Sequence, residues 1–344
     1  MPPLIAVNNV RKRFNLEAGF FAPLGRYVYA VNGLSFEIAE NESYGLAGES
    51  GCGKTTAARL LVRMYNHDGG TILYRGTDAA SFRKQDLVRY RQKVKYVFQD
   101  PARSLNPRMS IYDVLVSGRR WSRPGGSDGK QLKQEAAAIL EEVGLSAKDL
   151  ERRPAEFSGG QRQRISIARG LLMEPELLIC DEVVSALDVS IQAQILNLLM
   201  DIRRRRRLSF LFIAHDLKIA CWFCDRIGVM YRGELMEEAP AADLYRTAAH
   251  PYTRLLFSSV VKDIAPENPA ALAEEASEEP AEEAAVPDIP PAVLKGEVRT
   301  ALKETTGCAF AERCPHAKER CFREKPELRE TGPGRRLRCF EAWE

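Results

Sequence analysis

The sequence predicts an α/β fold, and three stretches carry that prediction: a Gly-rich turn, GESGCGKT from Gly48 to Thr55; the polar run FSGGQRQR from Phe157 to Arg164; and an apolar run ending in two acids, LLICDE from Leu177 to Glu182. The first lies between a strand pattern and a helix pattern, and the last has the form of a buried parallel strand.

The Gly-rich turn comes first. Val31 to Ala47 alternates and then becomes apolar, which reads as a strand feeding the turn, and TTAARLLVRM beyond it has helical spacing. Gly48, Gly51 and Gly53 permit positive φ and an approach free of side chains, so successive N–H groups of Gly48, Glu49, Ser50, Gly51, Cys52 and Gly53 can turn toward a phosphate at a helix N-terminus. Lys54 adds a point charge for the β/γ-phosphates, Thr55 offers a hydroxyl to Mg²⁺, and Thr56 closes the motif. The residues thus point to a nucleotide with Mg²⁺.

The acidic strand end supplies a second half. Leu177 to Cys180 form a buried-strand run, and Asp181 and Glu182 emerge at its carboxyl end, the edge at which doubly wound sheets bind ligands. Asp181 is placed to hold Mg²⁺ opposite Thr55, leaving Glu182 to polarise an attacking water.

With these residues in hand, the chain resembles the nucleotide-binding subunit of an ABC transporter over roughly residues 4 to 260. The resemblance implies a P-loop NTPase of ABC type, with a mixed sheet core, an antiparallel β subdomain and a helical subdomain at about 100–170 that carries the signature motif. It makes the expected nucleotide ATP. Gln99 in VFQDP matches the glutamine loop, which in such proteins senses Mg²⁺ and touches the membrane partner. Ser158, Gly159, Gly160 and Gln161 match the signature motif, which contacts the γ-phosphate held by the opposite subunit. Ser185 to Asp188 match the D-loop, His215 in LFIAHD matches the switch histidine, and Phe14 in VRKRF matches the aromatic residue that stacks on adenine. One departure from the pattern is Val183, where a proline is usual after the catalytic acid; a local backbone change is expected there. The resemblance implies a head-to-tail dimer in which Ser158 of one subunit completes the site around Lys54 of the other.

QDPARSLNPRMS, VVSALDVSIQAQILNLL and HPYTRLLFSSV resemble the peptide and nickel importer branch of that family. The resemblance implies import of dipeptides, oligopeptides or a solute such as nickel. Its implied partners are two transmembrane permease subunits, a second related ABC ATPase and, indirectly, an extracytoplasmic solute-binding protein. A non-transport ABC ATPase acting on ribosomes or DNA is the alternative. Neither the tandem ATPase halves of the translation type nor the long coiled-coil insertion of the DNA-repair type is visible. A third reading makes the cysteine tail a redox regulator of the ATPase.

Composition agrees with the leading reading. The 344 residues suffice for one large α/β domain and a smaller appendage, and 50 basic against 47 acidic side chains leave a formal charge of +3, too near balance to imply nucleic acid. No apolar run approaches a bilayer span and the start lacks a secretory core, so the expected location is peripheral, on the cytoplasmic face of the inner membrane.

Three parts are expected: the ATPase at 1–260, an acidic Ala/Glu/Pro linker at 261–300, and a small Cys-rich C-terminal appendage at 301–344. Within the first, WSRPGGSDGK reads as a polar loop and KQEAAAILEEVGL as an amphipathic helix. Of the eight cysteines, Cys308, Cys314, Cys321 and Cys339 fall in the appendage at intervals of five, six and seventeen residues, wider than zinc-finger pairs. Four thiolates suit a tetrahedral S₄ site, for which both zinc and a [4Fe–4S] cluster qualify; the resemblance favours the cluster. Cys221 and Cys224 read as core packing, Cys52 as a thiol whose alkylation would disturb ATP binding, and the Arg203 to Arg207 run as a helix terminus complementing the helix dipole.

Overall fold

A computed structural model describes residues 2–15, 27–122, 129–185, 187–260 and 306–341. The expected linker and most of the WSRPGGSDGK loop lie outside these residues.

Two sheets organise the chain. The smaller is antiparallel, in the order β2-β1-β4-β5, from β1 (Ile5–Asn15), β2 (Tyr27–Ile38), β4 (Gly69–Tyr74) and β5 (Thr77–Asp78). The larger is mixed. Its parallel part comprises β3 (Ser43–Ala47), β6 (Val94–Val97), β7 (Leu177–Asp181), β8 (Ser209–Ala214) and β9 (Arg226–Tyr231). Antiparallel β10 (Glu234–Pro240), β11 (Arg329–Gly332) and β12 (Arg335–Leu337) extend one edge, giving the order β11-β12-β10-β9-β3-β8-β7-β6.

Every residue of β7 and β8 is buried, as strands covered on both faces require. Their side chains alternate between two cores. Leu177 and Ile179 join Phe36, Leu46 and Leu61 under the small sheet, whereas Leu178 and Cys180 join Leu115, Leu140 and Phe212 on the side of the helices. Those helices are α3 (Pro101–Ser104), α4 (Ile111–Ser122), α5 (Gly129–Glu142) and α6 (Gly159–Leu171), after α1 (Lys54–Leu61) and α2 (Lys84–Lys93). The amphipathic reading of α5 is met: Leu132, Ala136, Ile139 and Leu140 are its buried stripe. Next come α7 (Val189–Arg206), α8 (Leu217–Phe223), α9 (Ala241–Thr247), α10 (Pro251–Val260) and α11 (Glu319–Arg323). The arginine run does end α7, but Arg203 and Arg206 are tied by ion pairs to Asp225 and Glu142.

Two expectations change. Val31 to Ala47 is not one strand: the chain turns at Asn41, with φ 62°, and its halves enter different sheets. The polar Glu40-Asn41-Glu42 stretch favours that turn, and the Glu42 carboxylate accepts from the Ala39 N–H at 2.6 Å. Nor does the cysteine-bearing segment hang off the body, because β12 pairs with β10 at Glu237↔Leu337 and Glu238↔Arg336 and so continues the central sheet. Glu234, Glu237 and Glu238 of β10 are buried, and the segment answers them with Lys325 at 2.7 Å from Glu234 and with Arg336 on Glu238. Among the described residues no helix is long and apolar enough to cross a membrane.

Candidate active site

The Gly-rich turn joins the end of β3 to the start of α1, with Gly53 as the helix N-cap at φ 109°. A Cβ on Gly53 would stand 2.1 Å from the Ala30 carbonyl oxygen, and one on Gly48 would stand 2.2 Å from that of Met230. Only glycine fits this close a passage between β2 and β9. Lys54 is buried and curls back, donating from Nζ to the carbonyls of Gly48 at 2.6 Å and Glu49 at 3.0 Å. Its ammonium is thus held at the mouth of the loop, at the N-terminus of α1, where a phosphate would exchange with those carbonyls.

Thr55, the next residue, donates from Oγ1 to Asp181 Oδ1 at 3.1 Å. The other oxygen of Asp181 accepts from the hydroxyl of Tyr96 on β6, and Asp181 itself is buried. Burial and the adjacent carboxylate push the Tyr96 phenol well above its ordinary range, so it stays a donor. Hydroxyl and carboxylate are the hard oxygen ligands that suit Mg²⁺, and they already face each other.

Glu182 leaves the end of β7 with φ 48°, its N–H bonded to Ile213 at 3.1 Å and its carboxylate accepting from Gln99 Nε2 at 2.6 Å. Glu182 is left-handed, and Val183 after it is buried. His215 is exposed just past β8, the strand paired with β7 through Asp181↔Ile213. Glu182, Gln99 and His215 therefore come from the ends of neighbouring strands at one sheet edge.

The FSGGQ run takes a different place. Ser158 caps α6, its Oγ accepting from the Gln161 N–H at 3.3 Å while Gln161 Oε1 accepts from the Ser158 N–H at 3.0 Å. A Cβ on Gly160 would lie 2.6 Å from Ile191, so the motif packs on the start of α7, which Asp188 precedes. Phe14 sits half-buried on β1, edge-on to Tyr65 at 5.3 Å with Lys12 Nζ 5.3 Å from its ring centre.

Three residues at the loop escaped the sequence reading. Tyr96 lay unnoticed in VKYVFQD. Tyr252, from the HPYTRLL stretch, accepts the Glu49 N–H on its hydroxyl at 2.9 Å, and Arg313, between two cysteines, grips the Glu49 carboxylate. The pattern of charges and aromatics offered no signal, because their partners lie far away in sequence.

Cys308, Cys314, Cys321 and Cys339 are free and half-buried, and they line one small cavity with His250 and Phe310. Burial pushes the Cys308 thiol up to about 11, and the three other cysteines push in the same direction. The donors suit a four-thiolate group in kind and number. Yet among the described residues no three His, Cys, Asp or Glu side chains are arranged to hold a metal ion, so the positions lend no support to the expected cluster or to zinc. Cys52 is buried, and burial raises its thiol against the opposing pull of Lys54. Both burial and the raised thiol work against the alkylation expected there. Cys224 packs against Gly45 in the core, as expected.

Fold and site are those of a phosphate-loop nucleotide-binding protein. The ABC transporter family model matches residues 31–185, and a model described as the C-terminal region of oligopeptide/dipeptide transporters matches residues 236–287 and 283–321. The oligopeptide transport ATP-binding protein AppF of Bacillus subtilis is 38% identical over 98% of this chain and 96% of its own length. YkfD of the same organism is 39% identical over 98% of this chain and 95% of its own length. Among solved structures, the ATP-binding cassette MJ0796, captured as a dimer with ADP and Pi, shares the fold with a TM-score of 0.61 at 24% identity, over 69% of this chain and 98% of that one. The cbiO1 protein of Clostridium perfringens does so with a TM-score of 0.61 at 22% identity, over 71% of this chain and 91% of that one. The chain belongs to the ABC transporter family and is an ABC ATPase, with the C-terminal region of the oligopeptide/dipeptide group.

Proposed function

We propose that this ATPase energises a binding-protein-dependent importer of dipeptides, oligopeptides or a related solute such as nickel, from the cytoplasmic face of the inner membrane. Its partners in this reading are two transmembrane permease subunits, a second related ABC ATPase and, indirectly, an extracytoplasmic binding protein. The observation that carries the substrate class is the C-terminal match, together with near-full-length similarity to an oligopeptide transport protein.

In the proposed reaction, Phe14 stacks on adenine and the loop from Gly48 to Thr56 cradles the phosphates, with Lys54 exchanging its carbonyl partners for phosphate oxygens. Thr55, Asp181 and Gln99 hold Mg²⁺, which when bound neutralises charge on the transferring phosphoryl group. Glu182 accepts hydrogen bonding from the attacking water and His215 orients it at the γ-phosphate. Ser158, Gly159, Gly160 and Gln161 of an opposing subunit, with Asp188 beside the interface, close the site from the other side. Loss of the bridging γ-phosphate then separates the halves.

The division into ATPase (1–260), linker (261–300) and Cys-rich module (301–344) belongs to this proposal, as does a [4Fe–4S] cluster on Cys308, Cys314, Cys321 and Cys339, which rests on the kind and number of their thiols alone. Iron and sulfide analysis of anaerobically purified protein tests the cluster; a zinc-loaded or metal-free protein refutes it. Mass spectrometry of complexes from gently solubilised membranes tests the whole. Two multi-span permeases with a second ATPase are expected, and ribosomal or DNA-bound partners without membrane proteins would overturn the importer.

A further inference from the structure

Glu49, the second residue of the phosphate loop, has each of its polar groups engaged by a different part of the chain. Its carbonyl accepts from Lys54 Nζ at 3.0 Å, and its N–H donates to Tyr252 Oη at 2.9 Å. Its carboxylate accepts two parallel bonds from Arg313, at 2.8 Å to Oε2 and 3.0 Å to Oε1. Both side chains of this pair are shielded, Arg313 at 16% exposure and Glu49 at 19%. The guanidinium is itself caged: its centre lies 5.6 Å from the Tyr231 ring and 5.9 Å from that of Phe310, and Phe310 is buried 5.3 Å from both Tyr231 and Tyr252. Arg232, in the turn between β9 and β10, adds an ion pair at 3.1 Å to Glu312, the neighbour of Arg313.

We propose that Arg313 is a positioning residue of the phosphate loop, clamping Glu49 from the cysteine-bearing segment so that the loop is pre-set for nucleotide. A bidentate arginine fork fixes direction as well as distance, and a lysine cannot reproduce it. Because the Glu49 carbonyl is also a resting partner of Lys54, freeing this residue loosens both the loop and the ammonium that must meet the phosphates. Arg313 directly precedes Cys314 and its N–H bonds to the Phe310 carbonyl at 3.0 Å, so the clamp is built into the short stretch between the first two cysteines of the tail. Pre-organisation of this kind acts on nucleotide binding equally in ground and transition states, and so predicts a change in KM at constant kcat. The inference rests on the loop holding ATP.

The test compares full-length wild type with Arg313→Ala, Arg313→Lys, Glu49→Gln and the Arg313→Ala/Glu49→Gln double variant. It reads ATP affinity by titration with a fluorescent ATP analogue, KM and kcat for hydrolysis, and melting temperature. Arg313→Ala is expected to raise KM and Kd about tenfold, the scale of a lost charge-assisted contact, with kcat little changed. Arg313→Lys should recover only part of the loss, and the double variant should bind no worse than Arg313→Ala alone. Unchanged affinity in folded Arg313→Ala, full rescue by lysine, or additive losses would each overturn the proposal. Should Arg313→Ala fail to fold, the near-isosteric Glu49→Gln decides: a raised KM supports the clamp and an unchanged KM refutes it. A wild type that fails to bind the analogue would instead defeat the nucleotide reading itself.

Discussion

Gln99 Nε2 donates to Glu182 Oε2 at 2.6 Å, a bond between the segments that leave two neighbouring strands. Parallel β6 and β7 are in register at Val97↔Cys180, so two residues further on each strand the glutamine and the acid stand level. If Glu182 polarises the water, Glu182→Gln keeps this geometry and ATP binding while lowering turnover by roughly 10²–10⁴-fold, the usual contribution of a general base. Single-turnover hydrolysis beside nucleotide titration checks this, and wild-type turnover in the variant would remove Glu182 from the mechanism.

The hydroxyl of Tyr96 is the second donor to Asp181. Tyr96→Phe removes a bond to a buried charged acceptor and should destabilise the protein by about 1.5–3 kcal/mol. It should also weaken Mg²⁺-dependent nucleotide binding, through an Asp181 now held by Thr55 alone. Chemical denaturation with and without Mg²⁺–ATP separates the two effects; identical losses in both conditions would confine Tyr96 to stability.

At Gly53, a methyl group would meet the Ala30 carbonyl at 2.1 Å in a backbone held at φ 109°. Gly53→Ala is expected to abolish tight ATP binding while leaving the two cores folded, because the strain is confined to the loop. Circular dichroism with an ATP titration distinguishes this from global unfolding.

The three buried carboxylates of β10 make the body depend on its C-terminal segment. Glu238 meets Arg336 from that segment and Arg226 at 3.5 Å from its own sheet, and it also accepts from the Tyr44 hydroxyl at 3.0 Å. Arg336→Met should therefore cost about 2–3 kcal/mol, less than the 3–5 typical of breaking a buried pair, since Arg226 remains. Deleting residues 306–341 should cost considerably more, with a large fall in melting temperature. A truncated chain as stable as the whole would show that the segment is merely appended.

Lys95 on β6 is half-buried, and burial, reinforced by the nearby Arg169 and Arg91, draws its ammonium from the usual 10.5 down to about 8. A folded value below the unfolded one means that the unfolded chain binds more protons between these limits, so the contribution of Lys95 to stability rises with pH from about 8 to 10.5. At pH 7 the lysine is charged in both states and its burial cost is present in full. Lys95→Met should stabilise the protein there by about 2 kcal/mol, allowing for partial solvent access, and should flatten the slope above pH 8. Melting curves across pH 7–11 for both proteins test the sign.

The sequence by itself determined what short-range chemistry can encode. A strand–glycine–helix pattern around Lys54, an all-apolar run before Asp181 and Glu182, and the Ser158 to Gln161 capping box are each legible because the physical requirement is met within a few residues. The break at Asn41 was less visible, since the flanking residues suit a strand equally well in either sheet. Tertiary structure alone decided what depends on partners brought together from distant segments. Glu49 and Arg313 are separated by 264 positions, and nothing in either local sequence announces the other. The acidic run of β10 is covered by basic side chains of the C-terminal segment, Lys325 on Glu234 and Arg336 on Glu238. The spacing of the four cysteines leads to the expectation of a shared group, but only the fold shows them lining one cavity with His250 and Phe310. Ion pairs and packed rings are set by closure of the whole chain, which no local propensity contains.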